Sequence, residues 1–302
     1  MADQPPIVSI GLPVYNGERH LRQTLDSIAS QTFSDFELII SDNASADATG
    51  DICRDYASRD SRIRYYRNEE NLGAGWNYKR VFELSRGKYF RWSPADDLFA
   101  PESLQHCVAV LAAYPEVVLC YPQTILIDSN GLAIRPYADN LDVRDSCPVA
   151  RFRKVIERIG LVNVLYGLIR LDSLKQTGLL GSYPGADIVL VLELTLYGQF
   201  HEIPKPLFFR RMHEHASSSI KTVAGVQEFF DPKSKGHLFM RSWTHQSQHL
   251  ASILRAPLSL GSKAKLTAFL LRWTLSIRHT LMKELRDAMR RPFVSTKSGH
   301  SR

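Results

Sequence analysis

Apolar positions in the first hundred residues alternate between two spacings. Short continuous apolar runs, typical of buried strands, cover residues 7–12, 36–41, 63–66 and 88–92. Apolar side chains at helical spacing lie between these runs, over residues 18–30, 48–57 and 76–84. Because strands that alternate with helices build βαβ units, the pattern predicts an α/β fold with a mostly parallel central sheet.

Beyond residue 101 the pattern is less regular. It predicts a helix to residue 113, a strand over 117–127, a turn at 128–131 and a helix over 187–197. From about residue 222 onward the chain is basic and helical. We therefore expect one domain in two halves, residues 1–102 and 103–221, followed by a helical C-terminal extension over residues 222–302.

The four strands predicted in the first half each end in a polar loop. These loops comprise residues 13–17, 41–45, 68–75 and 93–97. The carboxyl ends of parallel strands meet at one edge of a sheet, where open α/β proteins bind their ligands. The sequence therefore predicts one site that the four loops share.

Asp96 and Asp97 are adjacent carboxylates in the last of these loops. Two neighbouring negative charges repel each other, and a bound cation relieves that repulsion. Mg²⁺ and Mn²⁺ prefer such oxygen ligands and commonly bridge to phosphate. The alternative is that one aspartate caps the helix that begins near residue 101. Taken alone, the pair favours neither interpretation.

Asp42 ends the second predicted strand, where a carboxylate can accept a hydrogen bond from the imide N–H of uracil or thymine. Taken alone, an Asx turn or a helix cap is the favoured role for such a residue. Asn71 and Gly73 likewise belong to an ordinary loop when taken alone. The sequence contains neither a P-loop nor a GxGxxG motif, so neither a nucleoside triphosphatase nor a dinucleotide enzyme is indicated.

Charge is distributed unevenly along the 302 residues, whose formal net charge is +7. Residues 221–302 hold 15 Lys and Arg against 4 Asp and Glu, so the rest of the chain is slightly acidic. Four widely spaced cysteines, the lack of an apolar run of spanning length and the lack of a signal-peptide pattern predict a cytoplasmic protein. Basic charge without a recognition motif gives no reason to expect a nucleic-acid partner.

A helix predicted over residues 263–291 is amphipathic. Its apolar stripe comprises Leu266, Leu270, Trp273, Ile277 and Leu281, and its basic face comprises Lys265, Arg272, His279, Lys283, Arg286 and Arg290. Such a helix either packs on its own domain or lies on an anionic membrane surface, here the inner face of the membrane. Packing is slightly favoured as the main role of the stripe, and peripheral membrane contact is a hypothesis that stays open beside it.

Together, the four loops resemble those of family 2 glycosyltransferases, which have the GT-A fold, a Rossmann-like sandwich. Residues 8–16, Val-Ser-Ile-Gly-Leu-Pro-Val-Tyr-Asn, are similar to the opening strand of that family, and residues 41–45, Ser-Asp-Asn-Ala-Ser, to its base-binding turn. Residues 71–73, Asn-Leu-Gly, are similar to its third loop, and residues 95–97, Ala-Asp-Asp, to its metal-binding DxD segment. Each motif is weak, but all four occur in the expected order.

The resemblance implies roles for single positions. Pro13 and Tyr15 would border the nucleobase, and Asp42 would bind its imide. Asp96 would hold Mg²⁺ or Mn²⁺ on the diphosphate, with help from Asp97. The resemblance adds four further nucleotide-binding positions, which are Val14, Asn16, Asn71 and Gly73. Because Pro94 stands where the family usually has the first Asp of its motif, ribose contact is a weaker expectation than metal binding.

The resemblance extends into the second half. Asp187 follows Gly185 and Ala186 where the family often carries a Glu-Asp pair, and it would be the catalytic base, with a helix cap as the alternative. Arg211 and His213 are similar to the Arg-x-His near the end of these domains. Arg211 would bind phosphate, and His213 would complete the metal shell, with a surface histidine as an equally favoured alternative.

The leading hypothesis is an inverting, metal-dependent glycosyltransferase that moves a sugar from a UDP- or dTDP-sugar to a hydroxyl of a glycan or lipid-linked acceptor. One alternative, a sugar-phosphate nucleotidyltransferase, usually has a Gly-rich, cationic loop after its first strand, and residues 13–18 are poor in both. The other alternative is a non-catalytic module that binds nucleotide sugars. Ala186 and Pro94, the two departures from the family pattern, keep it open.

Overall fold

A computed structural model of the chain describes residues 4–214, 216, 219–220, 222–234 and 239–290, without the side chains of residues 223, 224, 234 and 290. The strands of this part are β1 (Val8–Val14), β2 (Phe36–Asp42), β3 (Ile63–Arg67), β4 (Tyr89–Trp92), β5 (Leu98–Phe99), β6 (Val117–Ile127), β7 (Ala133–Tyr137), β8 (Leu168–Arg170) and β9 (Gln199–Arg211).

The α-helices of the first half and of the residues before β9 are α1 (Glu18–Ala29), α2 (Thr49–Arg59), α3 (Ala74–Glu83), α4 (Ser103–Ala113), α5 (Pro148–Arg158), α6 (Leu171–Lys175) and α7 (Ala186–Leu194). Those after β9 are α8 (Val223–Phe230), α9 (Arg241–Arg255), α10 (Leu260–Ser276) and α11 (Arg278–Arg290). Short 3₁₀ helices cover Asn163–Tyr166 and Pro232–Ser234.

The described strands form one mixed, mostly parallel sheet in the order β3-β2-β1-β4-β8-β6-β9-β5, with β7 paired to β6. β1 runs parallel to both β2 and β4, and β2 runs parallel to β3. β8 is antiparallel to β4 and β6, whereas β6 and β9 run parallel. The carboxyl ends of β1 to β4 therefore share one edge of the sheet, and the loops that follow them meet there.

Helices cover both faces of the sheet. On one face, Ile10 of β1 packs in a cluster with Leu25 of α1 and apolar residues of α2 and α4. On the other face, Trp92 of β4 packs with Val81 of α3 and with residues of α5 and α7. β1 and β2 are consequently buried at every position, as strands of a parallel sheet between two helical layers are.

The structure confirms the predicted elements of the first half to within two residues at each end, and the strand over 117–127 is also confirmed. The short strands β5 and β8, the edge strand β7 and the long strand β9 were not predicted. In β9, the sequence Pro-Lys-Pro at residues 204–206 and a shift in its pairing register with β6 interrupt the alternation that identifies a strand.

The C-terminal extension is part of the fold. Ile253 of α9 and Leu266 and Leu270 of α10 are buried in the larger core cluster. Arg255 of α9 forms an ion pair with Glu193 of α7, whose side chain is almost fully buried. Removing this extension would expose core residues and leave a buried carboxylate without its cation, which is costly.

The helix predicted over residues 263–291 is two helices, because the chain leaves helical geometry at Ile277 between α10 and α11. The predicted apolar stripe does pack on the protein: Leu266, Leu270 and Leu281 are buried, and Trp273 and Ile277 are half-buried. The predicted basic face is exposed at Lys265, Arg272, His279, Lys283 and Arg286, and the side chain of Arg290 lies outside the described residues. None of the described helices combines the length and the apolar character needed to cross a bilayer.

Candidate functional site

A cavity of about 550 Å³ opens at the edge where the loops after β1 to β4 meet, and it is called the large cavity below. This volume is within the range of small-molecule sites. Most of the predicted site residues line it, namely Pro13, Val14, Tyr15, Asn16, Asn71, Asp96, Asp97, Arg211 and His213. Three predicted residues, Asp42, Gly73 and Asp187, are outside its lining.

The loop after β1 is held by the loop after β2. Asn16 adopts a positive φ of 49°, a conformation that asparagine tolerates better than most residues. Its backbone N–H donates to Ser45 Oγ at 2.9 Å, and its side-chain Oδ1 accepts from the backbone N–H of Ala46 at 2.9 Å. These bonds leave the Tyr15 ring half exposed at the rim of the cavity.

Asparagine side chains join the second and third loops. Asn43 Nδ2 donates to Asn71 Oδ1 at 2.7 Å, and Asn71 Oδ1 also accepts from the backbone N–H of Gly73. Gly73 has a φ of 86°, and a Cβ at this position would lie 2.4 Å from the carbonyl oxygen of Phe230. Only glycine fits there, so Gly73 serves the packing of α8 against this loop.

Asp42 is fully buried, and both of its carboxylate oxygens are occupied. Oδ1 accepts from the backbone N–H of Ser45 at 2.8 Å, while Oδ2 accepts from Tyr65 Oη at 2.8 Å and from Arg67 Nη1 at 2.7 Å. Burial and the bond to Asp42 raise the pKa of Tyr65 to about 12. These contacts favour a bracing role for Asp42 over contact with a nucleobase.

Asp96 and His213 face each other in the large cavity. His213 Nε2 and Asp96 Oδ2 are 2.8 Å apart, and the Asp96 side chain is about one-third exposed. Two ligands on one octahedral Mg²⁺ or Mn²⁺ lie roughly 3 Å apart, given bonds of about 2.1 Å. The pair therefore fits a divalent cation that takes its other ligands from water and phosphate. In the described part of the chain, no group of three or more His, Cys, Asp or Glu side chains could hold a metal by itself.

Asp97 has different surroundings from Asp96. It is buried, and its Oδ1 accepts from the backbone N–H of Arg211 at 2.7 Å. Burial, and then the neighbouring Asp96, raise its pKa well above the ordinary value for an aspartate. Asp97 therefore joins β9 to the loop after β4, and Asp96 is the carboxylate that the cavity presents to a ligand.

Arg211 was predicted to bind phosphate, but its guanidinium already has partners within the protein. Nε donates to the carbonyl of Asp96 at 2.8 Å, Nη2 donates to Gln23 Oε1 at 2.7 Å, and Nη1 donates to the carbonyls of Asp128 and Ser129. The side chain is also buried. Its contacts are those of a brace that fixes the loop carrying Asp96.

Sequence reasoning missed several residues that line the large cavity, among them Arg19, His20, Asn77, Tyr78, Tyr166 and Arg210. Arg19 and His20 directly follow the first loop, in the first turn of α1, so their proximity could have been inferred. The His20 ring lies 5.1 Å from the His213 ring. The pKa of His20 is lowered to about 4, mainly by burial and then by the charges of Arg211 and His213. Tyr166 and Arg210 lie on second-half elements that were not predicted.

Asp187 lies in a second cavity of about 70 Å³, called the small cavity below. It is in the first turn of α7, and its Oδ1 accepts from the backbone N–H of Ile188 at 2.9 Å. Burial raises its pKa. Tyr78 and Tyr166 line both cavities.

The turn before Asp187 is shaped by the C-terminal extension. Gly185 has a φ of 83°, and a Cβ there would lie 2.5 Å from the ring of His245 on α9. His245 Nε2 is 2.8 Å from the carbonyl oxygen of Pro184. The position of Asp187 therefore depends on α9 as well as on its own helix.

Known proteins resemble this chain in sequence and in fold. Residues 9–158 match the profile of Glycosyl transferase family 2. An uncharacterized glycosyltransferase of Methanocaldococcus jannaschii is 31% identical over 134 residues, which are 44% of this chain and 46% of that protein. The chain spans less than half the length of the curated relatives it matches.

Two solved structures share the fold. S. aureus TarS 1-349 in complex with UDP-GlcNAc aligns with a TM-score of 0.65 at 17% identity, covering 93% of this chain and 80% of the other. The mannosyltransferase PcManGT of Pyrobaculum calidifontis, in complex with GDP-Man and Mn²⁺, aligns with a TM-score of 0.52 at 14% identity, covering 95% and 88%.

Proposed function

Because residues 9–158 form a glycosyl transferase family 2 domain within a GT-A type fold, we propose that this protein is an inverting glycosyltransferase. It transfers a sugar from a UDP- or dTDP-sugar to a hydroxyl of a glycan or lipid-linked acceptor. The observation that carries the proposal is the pair of neighbouring cavities that share Tyr78 and Tyr166 in their linings, with Asp96 and His213 in the large one and Asp187 in the small one.

The large cavity has the chemistry to bind a nucleotide sugar. The half-exposed Tyr15 ring offers a stacking surface for a nucleobase at the rim. Arg19 and Arg210 add cations to the lining, where a diphosphate needs positive charge. Arg210 is aimed by its donation to Asn163 Oδ1 at 2.7 Å. These two arginines replace Arg211 as the phosphate-binding residues of the proposal.

Asp96 and His213 would hold a divalent cation, for which Mn²⁺ or Mg²⁺ is the proposed cofactor. When bound, such a cation neutralises charge that develops on a departing diphosphate. Two hydrogen bonds keep the loop of Asp96 in place: the backbone N–H of Arg211 donates to the Asp97 carboxylate, and Arg211 Nε donates to the carbonyl of Asp96. The two carboxylates of the Asp96-Asp97 pair therefore have separate roles, one toward the ligand and one toward the fold.

Asp187 is the proposed general base. Its carboxylate takes the proton from an acceptor hydroxyl, the hydroxyl oxygen forms a bond to the anomeric carbon, and the bond from that carbon to the diphosphate oxygen breaks. One displacement of this kind inverts the anomeric configuration. Since burial raises the pKa of Asp187, it is a stronger base than an exposed aspartate. Tyr78 and Tyr166, which line both cavities, lie where the acceptor hydroxyl would meet the donor.

The test is turnover of a panel of UDP- and dTDP-sugars with Mn²⁺ and hydroxyl-bearing acceptors, followed by chromatography of the nucleotides and NMR of the glycoside. We expect release of nucleoside diphosphate and a product of inverted configuration. Formation of UTP or dTTP together with sugar 1-phosphate, when pyrophosphate is added to the donor, would instead identify a nucleotidyltransferase. Binding of donor without turnover over the whole panel would identify a non-catalytic module, and either result would contradict the proposal.

A further inference from the structure

α10 has two apolar faces, and only one of them packs on the protein. Leu266 and Leu270 are buried in the core. At about 100° per residue, a second apolar stripe lies within an arc of about 80° on the opposite side of the helix. This outer stripe consists of Leu260, Ala264, Ala268, Leu271 and Leu275, and every member is exposed.

The leucines of the outer stripe are exposed to an unusual degree. Leu260, Leu271 and Leu275 are 86%, 61% and 62% exposed, respectively. Single exposed leucines are normal on a protein surface, but several on one helix face indicate a surface that binds a partner. In the part of the chain that the structure describes, no element covers this face. The helical periodicity of the sequence predicted only the buried stripe, so the outer stripe is a finding of the structure.

Positive charge borders the outer stripe. α10 contains no Asp or Glu, and the helix geometry places Lys263 on one side of the stripe and Lys265 and Arg272 on the other. Lys265 and Arg272 are exposed. The next helix, α11, adds exposed cations and exposed methionines, which are Arg278, Lys283, Arg286, Met282 and Met289. Its two acidic residues are Glu284, which accepts bonds from Ser242, and Asp287.

We propose that the outer stripe and its bordering cations bind the surface of an anionic lipid bilayer. The leucines enter the boundary between headgroups and acyl chains, and Lys265 and Arg272 contact the headgroups. If a second copy of this chain packed on the outer stripe, the cations of the two copies would lie close together and repel each other. Charge complementarity therefore favours an anionic partner. The binding is peripheral, and it uses the face opposite to the one that packs on the domain.

Vesicle co-sedimentation of the 302-residue chain tests this proposal, using phosphatidylcholine alone and phosphatidylcholine with about one-third phosphatidylglycerol. We expect the protein to sediment with the anionic vesicles, more weakly with the neutral ones, and less in high salt. The double variant L271S/L275S should lower the partition at least about tenfold, since it removes two apolar side chains from the interface. Leu132→Ser is the matched control, because Leu132 is 67% exposed in the turn between β6 and β7.

A charge-reversal variant separates the electrostatic contribution to vesicle binding from the contribution of the apolar side chains. K265E/R272E should lower the partition by roughly tenfold on anionic vesicles and leave the weak partition on neutral vesicles unchanged. Arg59→Glu, at an exposed position on α2, is its control. Since all of these side chains are exposed, the variants should keep the circular dichroism spectrum of the parent chain.

Two results would overturn the proposal. One is equal sedimentation of the parent chain and L271S/L275S with anionic vesicles. The other is a parent chain that does not bind vesicles and is a dimer in light scattering, while L271S/L275S is a monomer. This result would assign the outer stripe to a second copy of the chain. Neither result depends on the proposed enzymatic activity, so each is distinguishable from a failure of that proposal.

Discussion

The large cavity has a lining that is polar and apolar in equal parts, and it is built mainly from the loops after β1 to β4, whose side chains hold one another in place. The small cavity has a mainly apolar and aromatic lining, and its elements are far apart in the sequence: α3, the 3₁₀ helix at Asn163–Tyr166, α7 and α8. Asp96 in the first is about one-third exposed next to an imidazole, whereas Asp187 in the second has a pKa that burial raises.

This difference supports the separate roles proposed for the two carboxylates. A partly exposed carboxylate beside an imidazole is suited to hold a cation and, through it, a diphosphate. A carboxylate in an apolar pocket is suited to accept a proton, since desolvation raises its basicity. If the assignment is right, changing one cavity should spare the function of the other.

The largest effect is expected for Asp187→Asn. The amide keeps the shape of the side chain but cannot accept a proton, so the transfer rate should fall by about 10²–10⁴-fold. Nucleotide affinity should not change, because Asp187 is outside the lining of the large cavity. Steady-state kinetics and titration calorimetry measure the two quantities. Asp51→Asn, at an exposed site on α2, is the control. A transfer rate for Asp187→Asn close to that of the control would show that Asp187 is not the catalytic base.

Asp96→Asn should have the next largest effect, now in the large cavity. Losing one of the two cation ligands should weaken Mn²⁺-dependent nucleotide binding by about 100-fold. Binding in the presence of EDTA should change little. Thermal shift with UDP or dTDP, with and without Mn²⁺, measures both. A variant that keeps the full metal-dependent shift would show that Asp96 is not a ligand.

The pH dependence of the transfer rate should also distinguish the two cavities, and the expected change in rate is smaller. Because the folded-state pKa of Asp187 is raised, its carboxylate is protonated at a higher pH than an exposed aspartate, and the transfer rate should fall about tenfold per unit below that pKa. The groups whose charges act on it are Arg241, His245, Tyr166 and Tyr183. The acid limb of the rate profile should therefore lie at a higher pH than the titration of an exposed aspartate would give, and nucleotide binding should not follow it.

The same raised pKa makes a prediction for stability. Because desolvation raises the folded-state pKa of Asp187, its carboxylate disfavours the folded state once it is ionised, and its contribution to stability is lost as pH rises through the folded pKa. Asp187→Asn should therefore raise the Tm at neutral and higher pH, and the gain should vanish below the unfolded pKa of aspartate. A Tm difference that grows on acidification would contradict the burial argument.

The smallest functional effect is expected for Asp42→Asn. The amide cannot accept all the bonds from Ser45, Tyr65 and Arg67, so the free energy of unfolding should fall by about 1–3 kcal/mol. Nucleotide affinity and the preference for uracil or thymine should stay the same, because Asp42 is outside the cavity lining. Urea denaturation and calorimetry test this. A loss of affinity of tenfold or more would restore Asp42 as the base-binding residue.

The first half of the chain was predictable because its signals are local. Each strand, turn and helix there occupies a continuous segment, and the loops that form the large cavity are the turns between them. Arg19 and His20 follow the first loop directly and could have been added. Asp42 shows the limit of this reasoning, because its position was predicted correctly but its partners Tyr65 and Arg67 come from another strand.

The small cavity and the outer stripe could not be predicted in the same way. Tyr166 and Arg210 meet the loops of the first half only after β8 and β9 join the sheet, and β9 has an interrupted pattern. Gly185 is positioned by His245, which is 60 residues further along the chain. The two apolar faces of α10 are both visible in the sequence, but only the packing of α9 and α10 shows which one stays exposed.

The most direct test of the central claim is the location of Mn²⁺ by anomalous diffraction in crystals soaked with UDP or dTDP. The pairing of Asp96 Oδ2 with His213 Nε2 predicts one peak within about 2.5 Å of both atoms. The diphosphate should lie on the far side of the ion, toward Arg19 and Arg210. Nucleotide bound in the large cavity without a peak at this pair, or a peak at Asp187 instead, would contradict the division of tasks between the two cavities.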